Sequence, residues 1–309
     1  MKQKTISIVG FGNVGRFICA QLIPYTNSAL KINLMDPDES VHGAILDFLH
    51  GLELFPEHQI HFNDEELFNS SDIIFHCAGA SVPKGQSRLI SCTESIAIAE
   101  AVYSNYQAKE SAKIIVVANP VEIIASVSRK LSGLPHSHVL GIGTYLDSIR
   151  MDYLIRDSMP ELNNINAVVI GEHGSTAFLS NSLSSIDGKP IESILNVEEI
   201  EDLEARMRTA KDDIKATQAA TIYGVGYCAM QVFYALMGDL ELKVAASTAI
   251  PDFLRKDLGE ADIYLSLYSR INEHGIQPIE HSYSGTEIEK LKKSRDLIVS
   301  CIPKSYLTP

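Results

Sequence analysis

The sequence predicts an α/β protein whose first half forms a doubly wound parallel sheet. In that half, short apolar segments rich in β-branched residues alternate with segments of helical spacing. The apolar segments are almost uninterrupted by polar residues, which is typical of parallel strands buried on both faces. With 309 residues, the chain is long enough for two domains. The rhythm changes after about Gly143, so we expect one domain over residues 1–143 and a second over residues 144–309.

Strands and helices are predicted in regular alternation before that boundary. The predicted strands are Thr5–Gly10, Lys31–Asp36, Asp72–Gly79 and Lys113–Pro120. The predicted helices are Asn13–Tyr25, Val41–Leu52 and Ser95–Lys109. Because parallel neighbours need crossover connections, this order implies a doubly wound sheet with right-handed crossovers.

Beyond the boundary the predicted elements are longer and less regular. A helix is expected over Tyr145–Ser158 and a strand over Ala167–Gly171. A long segment, Phe178–Ile186, leads into a hairpin turn because an Asp-Gly pair follows it at positions 187 and 188. The remaining predictions are a long helical stretch with a bend or break at its two inner glycines, a late strand, and a closing amphipathic helix: Glu198–Gly238 with Gly224 and Gly226, Arg270–Asn272, and Thr286–Ile302.

The charge balance excludes several classes of partner. Lys plus Arg number 26 and Asp plus Glu number 39, which gives a net charge of −13. A nucleic-acid binder would show a basic stripe, and docking on an anionic lipid surface also needs basic residues. We therefore expect neither nucleic acid nor membrane as a partner, and any bound anion must be held by local cations or main-chain amides.

The cysteines indicate a reducing compartment. They are five in number, widely spaced, and without a Cys-x-x-Cys pair: Cys19, Cys77, Cys92, Cys228 and Cys301. This pattern is unlike a disulfide scaffold or a zinc site, and no histidine has a partner at metal-ligand spacing, so no metal is predicted. The N-terminal residues lack the apolar stretch of a signal peptide, and no run of about 18 apolar residues exists. We expect a cytoplasmic protein.

A glycine-rich turn after the first strand predicts a dinucleotide site. Gly10, Gly12 and Gly15 fit G-x-G-x-x-G between a strand and a helix. The first glycine permits the tight turn, the second lets main-chain amides approach a pyrophosphate, and the third allows close helix–strand packing. Asp36 ends the second strand, where a carboxylate hydrogen-bonds ribose hydroxyls and repels a 2′-phosphate. NAD is therefore expected rather than NADP.

Polar side chains at the ends of other apolar strands form a second candidate site. Asn119 ends one predicted strand, and His173 follows another within Gly-Glu-His-Gly. Asp147 and Arg150 lie three positions apart on a predicted helix, so they share one face. A glycine-bracketed loop that carries Arg88 follows the Cys-Ala-Gly segment.

The chain resembles the lactate/malate dehydrogenase family over essentially its whole length. The motifs follow the order of that family: GFGNVG, a strand ending in Asp36, AILDFLH, CAGASVPKGQSR, NPV, GIGTYLDSIR, GEHG and RINEHGI. The resemblance implies a Rossmann-type NAD-binding domain followed by a mixed α/β substrate domain. It also implies hydride exchange between NAD and a small 2-hydroxy acid, in a homodimer or homotetramer with the 39–52 helix at a contact between subunits.

The resemblance implies a role for each candidate residue. His173 would be the acid–base group, and Asp147 would hold its other ring nitrogen and stabilise the imidazolium. Arg150 would clamp the substrate carboxylate, and Arg88 on a closing loop would polarise the carbonyl. Asn119 would bind the reacting oxygen or position the nicotinamide, and Thr221 would lie beside the substrate. The implied cofactor-binding residues are Gly10, Gly12, Asn13, Val14, Gly15, Asp36, Ala78, Gly79 and Asn119.

Substrate choice in this family depends largely on the closing loop. By the family resemblance, malate enzymes carry an arginine at one position of this loop and lactate enzymes carry a glutamine. This chain has Val82 at that position. Valine cannot pair a second carboxylate, which favours a monocarboxylate such as pyruvate or a larger aliphatic homologue. Malate stays an alternative because Lys84 is close in sequence, and a branched-chain 2-hydroxy acid is another.

The chain departs from the family at positions that resemble an effector site. Asp152 and Asn166 stand where many bacterial lactate enzymes carry an arginine and a histidine that hold a sugar bisphosphate. We therefore expect no activation by fructose 1,6-bisphosphate. Two other functional classes compete with a hydroxy acid dehydrogenase: a non-enzymatic NAD-binding protein and an NAD-using glycosidase. The first would lack catalytic groups that this chain retains, and the second would need a Cys/His metal site.

Overall fold

A single mixed sheet runs through both halves of the protein. The computed structural model describes residues 3–25, 27–80, 91–218 and 220–307. Within these ranges, nine strands form the main sheet, and two smaller sheets lie in the second half. The predicted α/β class with a largely parallel central sheet is confirmed.

The first half contributes the parallel part of the main sheet. Its strands are β1 (Lys4–Val9), β2 (Leu30–Met35), β3 (Gln59–Phe62), β4 (Ile73–His76), β5 (Lys113–Val116) and β6 (Val139–Gly141). Its helices are α1 (Asn13–Leu22), α2 (His42–Leu52), α3 (Glu65–Asn69), α4 (Cys92–Asn105) and α5 (Val121–Ser132). The predicted strands and helices are all present, generally shorter than expected, and β3, β6, α3 and α5 are additional.

The strand order creates a crevice at the middle of the parallel part. The order is β6-β5-β4-β1-β2-β3, with every neighbouring pair parallel. From β1 the chain adds β2 and β3 on one side and then returns to add β4, β5 and β6 on the other. The order of strand addition therefore reverses between β1 and β4, which pair directly although they are far apart in sequence. Ligands of such sheets bind outside the carboxyl ends of the strands at this reversal.

The second half extends the same sheet with antiparallel strands. Its strands are β7 (Ile165–Asn166), β8 (Val169–Ile170), β9 (Phe178–Leu179), β10 (Ser185–Ile186), β11 (Lys189–Pro190), β12 (Leu242–Ala249), β13 (Tyr264–Asn272) and β14 (Gly275–Pro278). Its helices are α6 (Tyr145–Ser158), α7 (Val197–Thr217), α8 (Tyr223–Met237), α9 (Asp252–Leu258) and α10 (Gly285–Cys301). β12 joins the parallel part by pairing Ser247 with Gly141 of β6.

The predicted long helical stretch is interrupted and forms two helices, but the break does not lie at the two glycines where it was expected. α7 ends at Thr217 and α8 starts at Tyr223, whereas Gly224 and Gly226 lie inside α8. A Cβ at Gly226 would overlap the ring of Phe17 on α1. Gly226 therefore permits close packing between helices and does not interrupt α8.

The segment Phe178–Ile186 contributes two short strands to different small sheets. Its first two residues pair with β8, and its last two pair with β7 and β11. Between them the chain turns, with the Ser184 N–H donating to the Ser180 carbonyl at 3.0 Å. The hairpin at Asp187-Gly188 is present, and both residues adopt the positive φ angles, 51° and 76°, that a tight type I′ turn requires.

The main sheet is covered on both faces, so its strands are buried as predicted. Alternate residues of β4 illustrate this, because Ile74 packs with α4 and α5 while Phe75 packs with α1 and α8. A separate cluster around Met151 and Leu203 forms the core of the small sheets. Among the described residues, no helix combines the length and apolar character needed to cross a membrane.

Candidate active site

The glycine-rich turn lies at the crevice between β1 and β4. Gly10 has a φ of +90°, and a Cβ there would lie 2.6 Å from the main-chain nitrogen of Ala78. Only glycine lets these two strand ends approach so closely. The sequence therefore places the turn where the strand order reverses, as the dinucleotide prediction requires.

A cleft of about 610 Å³ opens beside this turn. Five residues predicted to bind the cofactor contribute to its wall: Gly10, Gly12, Asp36, Ala78 and Gly79. Another part of the wall comes from α4 through Ile98, Ala101 and Val102, which were not predicted from the sequence. Their helical spacing could have indicated a helix side facing the crevice.

The residues of the cleft fit a dinucleotide. A Cβ at Gly12 would meet open space, so ligand atoms can approach the main chain closely. No described side chain caps the N-terminus of α1, which leaves its first amides for phosphate oxygens. Asn13 and Val14 lie in the first turn of this helix, and Gly15 packs against the carbonyl of Gly10.

The carboxylate of Asp36 also fixes the shape of the glycine-rich turn. Its Oδ2 accepts the Phe11 N–H at 2.7 Å and its Oδ1 accepts the Asp38 N–H at 2.9 Å. The side chain is therefore held at the end of β2, at the wall of the cleft. This is where a carboxylate can select for ribose hydroxyls.

The second candidate site is a buried charge cluster. His173 Nδ1 lies 2.5 Å from Asp147 Oδ2, and Arg150 Nη1 donates to Asp147 Oδ1 at 3.1 Å. The side chains of His173 and Asp147 are 8% and 7% exposed. One carboxylate therefore contacts an imidazole and a guanidinium through different oxygens, an arrangement that suits proton transfer next to an anion clamp.

Helix α6 and the β8 loop bring this cluster together. Asp147 and Arg150 lie on the same face of α6, as the spacing predicted, and His173 follows β8. Burial raises the pKa of the Cys228 thiol on neighbouring α8 to about 12, with Asp147 contributing, so this cysteine is neutral. The cluster thus lies between α6, α8 and the end of β8.

A buried carboxyl group that contacts the main chain of His173 was not predicted from the sequence. Glu122 Oε1 accepts the main-chain N–H of His173 at 3.2 Å and the hydroxyls of Ser247 and Ser266 at 3.0 and 2.8 Å. Burial, reinforced by the carboxylate of Glu172, raises the pKa of Glu122 to about 7. A lone acidic residue within the apolar run after Asn-Pro-Val was the available signal.

Two further predicted residues lie at the borders of the site. The main-chain oxygen of Asn119 accepts the Ser95 hydroxyl at 3.0 Å, while its side-chain Oδ1 is buried and has no hydrogen-bond partner among the described residues. Such an atom suits a ligand amide or hydroxyl. Thr221 is half-buried and precedes α8, whose Gly224 would bring a Cβ to 3.0 Å from Leu146 of α6.

The predicted closing loop lies outside the described residues. Arg88, Val82 and Lys84 all fall within residues 81–90, so their expected roles stay predictions. Within the described ranges, no group of three or more His, Cys, Asp or Glu side chains could hold a metal ion.

Comparison with known proteins identifies two family models along the chain. The lactate/malate dehydrogenase NAD binding domain matches residues 4–141, and the lactate/malate dehydrogenase α/β C-terminal domain matches residues 144–304. An L-lactate dehydrogenase of Priestia megaterium is 29% identical over 316 aligned positions, covering 99% of this chain and 98% of that protein.

Solved structures share the fold over nearly the whole chain. A malate dehydrogenase from Aeropyrum pernix matches with a TM-score of 0.85 and 25% identity, covering 97% of this chain and 99% of the other. A minor L-lactate dehydrogenase from Enterococcus mundtii matches with a TM-score of 0.83 and 24% identity, covering 97% of each chain.

Proposed function

Since the chain belongs to the lactate/malate dehydrogenase family of NAD-dependent oxidoreductases, we propose that it interconverts a 2-oxo monocarboxylate such as pyruvate and the L-2-hydroxy acid. The observation that carries this proposal is the buried cluster of His173, Asp147 and Arg150. It places an acid–base group next to a cation that can bind the carboxylate of the substrate.

Each residue of the cluster has a chemical task in this reaction. NADH, when bound, supplies the hydride for the carbonyl carbon of the 2-oxo acid. His173 donates a proton to the carbonyl oxygen through Nε2, because Nδ1 is held by Asp147. Asp147 stabilises the imidazolium, and Arg150 binds the substrate carboxylate through its planar fork. In oxidation the imidazole accepts the same proton.

Two residues at the borders of the cluster complete the proposed site. Asn119 offers a buried side-chain oxygen without a partner among the described residues, which suits the nicotinamide amide or the reacting hydroxyl. Arg88 is assigned to carbonyl polarisation and loop closure on the resemblance alone.

The choice of a monocarboxylate rests on Val82. An uncharged side chain there leaves a second substrate carboxylate without a partner, and an unpaired buried charge is strongly unfavourable. Oxaloacetate is the second candidate substrate, because malate dehydrogenases occur among the similar structures. A branched-chain 2-oxo acid is the third candidate.

A panel of 2-oxo acids with NADH tests this proposal. We expect kcat/KM for pyruvate or 2-oxo-4-methylpentanoate to exceed that for oxaloacetate by about tenfold or more, since the unpaired charge disfavours the dicarboxylate. Val82→Arg should reduce or reverse the ratio of kcat/KM for these monocarboxylates to kcat/KM for oxaloacetate. The wild-type protein is the control. A preference for oxaloacetate above about a hundredfold would contradict the assignment.

The cofactor preference provides a second prediction. We expect kcat/KM with NADH to exceed that with NADPH by about 10²-fold, because the Asp36 carboxylate would face the 2′-phosphate. Asp36→Ser should reduce this ratio. Equal use of both cofactors by the wild type would show that Asp36 serves only to hold the glycine-rich turn.

The effector response provides a third prediction. Asp152 does not offer a basic side chain, and its Oδ1 is instead engaged by the Ala167 N–H at 2.8 Å. We expect fructose 1,6-bisphosphate to change the apparent KM for the 2-oxo acid by less than about twofold, below the usual range of allosteric coupling. Fructose 6-phosphate controls for ionic effects, and a large fall in KM with the bisphosphate alone would refute the prediction.

The proposal extends to the organisation of the protein. We assign residues 1–143 to the NAD-binding domain and 144–309 to the substrate domain. We also propose a cytoplasmic homodimer or homotetramer, supported by exposed apolar side chains on α2 and α8 that a subunit contact would cover: Leu46, Leu49, Tyr223 and Tyr227.

A further inference from the structure

We propose that Glu122 is a positioning residue for the acid–base pair, in which its buried side chain holds the main chain of His173 in place relative to Asp147. The inference rests on the proposed function, because it assumes that His173 transfers the proton. Glu122 is buried and its Oε1 is engaged by a main-chain N–H and two serine hydroxyls, so its effect is expected to act through His173.

One carboxyl oxygen joins three separate segments of the chain. Glu122 Oε1 accepts the His173 N–H from the loop after β8 at 3.2 Å. The same atom accepts the hydroxyls of Ser247 on β12 and Ser266 on β13 at 3.0 and 2.8 Å. Glu122 is 2% exposed, so water cannot replace this acceptor for the three donors.

The same contacts reach the helix that carries Asp147. Ser266 Oγ accepts the main-chain N–H of Thr144 at 3.1 Å, and Thr144 is the residue before α6. The turn is packed closely here, because a Cβ at Gly143 would lie 2.5 Å from Ser247 Oγ. The carboxyl oxygen therefore holds His173 directly and the start of the Asp147 helix through Ser266.

The reach of the Glu122 side chain matters more than its charge in this arrangement. Burial and the nearby Glu172 raise the pKa of Glu122 to about 7, so both protonation forms occur near neutrality. Oε1 can accept from the N–H and the hydroxyls as a carboxylate oxygen or as the carbonyl oxygen of the acid. A neutral side chain of the same length should therefore keep His173 in place.

Glu287 offers a matched control elsewhere in the structure. Its Oε1 also accepts two serine hydroxyls and a main-chain N–H, from Ser180 at 2.6 Å and from Ser182 at 2.9 and 3.2 Å. It is buried like Glu122, with 5% exposure, but none of its donors belongs to the acid–base pair. Replacing Glu287 by alanine therefore measures how much activity is lost when a buried acceptor outside the acid–base pair is removed.

The test compares Glu122→Gln, Glu122→Asp and Glu122→Ala with Glu287→Ala in the full-length protein. We expect Glu122→Ala to lower kcat for 2-oxo acid reduction by about 10²-fold, since small misplacement of reacting groups has effects of this size. Glu122→Asp, which keeps the charge but is shorter, should lose more activity than Glu122→Gln. Rates are expressed per NADH-binding site, measured by fluorescence titration.

A kinetic isotope effect separates positioning from folding. With NADH deuterated at the transferred position, the isotope effect on kcat should be larger in Glu122→Ala than in wild type, because the chemical step becomes slower. A loss of folded protein would lower the rate per total protein but leave the rate per NADH site, the isotope effect and KM unchanged, as we expect for Glu287→Ala.

Several outcomes would overturn the inference. Activity of Glu122→Ala within threefold of wild type per NADH site, or an unchanged isotope effect, would do so. If Glu122→Ala does not fold, equal or better activity of Glu122→Asp than of Glu122→Gln would contradict it. An inactive wild type would instead refute the proposed function, so the two failures are distinguishable.

Discussion

Replacement of His173 by alanine is expected to lower kcat for 2-oxo acid reduction by about 10²–10⁴-fold, the usual contribution of general acid–base catalysis. The imidazole is buried, and its Nδ1 lies 2.5 Å from Asp147 Oδ2, so no other described group can take over its proton transfer from the same position. Stopped-flow and steady-state rates with saturating NADH measure the effect. NADH binding itself should change little.

The control for this variant is His136→Ala. His136 also lies near an aspartate, with its Nε2 3.6 Å from Asp262 Oδ1, but outside the charge cluster. We expect it to retain most of the wild-type kcat per folded protein. Activity of His173→Ala above about a tenth of wild type would favour a different mechanism.

Replacement of Arg150 by lysine is expected to lower kcat/KM for the 2-oxo acid by about 10²-fold, because one charge-assisted hydrogen bond of the guanidinium fork is lost. Lysine keeps the positive charge near Asp147, so the acid–base pair should remain intact. The loss should therefore fall mainly on KM, while the affinity for NADH stays within about twofold of wild type.

Arg255→Lys is the matched control for this change. Arg255 pairs with Asp252 at 3.0 Å on α9 with the same spacing of three residues, at the protein surface. We expect no change in kcat/KM from this variant. If Arg150→Lys also left kcat/KM unchanged, the guanidinium would serve only as a partner for Asp147 and would not bind the substrate carboxylate.

The parallel half of the fold was predictable because its local and tertiary signals agree. The β-branched segments formed strands, and Tyr145–Ser158 forms a helix with the predicted bounds. α5 was not predicted, although its sequence mixes apolar and polar residues; several of the polar ones, including Glu122, Ser126 and Ser128, are buried by tertiary contacts. The long helical stretch is broken as predicted, but before Gly224 and Gly226, which lie inside α8 where Gly226 permits close packing between helices.

The site was predictable where spacing alone decides the geometry. Asp147 and Arg150 are three residues apart on one helix, and the structure brings them into contact. His173 lies 26 positions from Asp147, and only the resemblance to a family indicated that they meet. Glu122 could not be assigned from the sequence, because its donors come from β12 and β13, more than a hundred residues away.

The shared sheet has a consequence for how substrate enters. β12 pairs Ser247 with Gly141 of β6, and the Glu122 carboxyl on α5 accepts the hydroxyls of Ser247 and Ser266 from the second half. Hinge bending between the two halves would break these hydrogen bonds, which opposes such a motion. We therefore expect that redesign of substrate access will succeed more readily in chain outside the sheet than at the junction of the two halves.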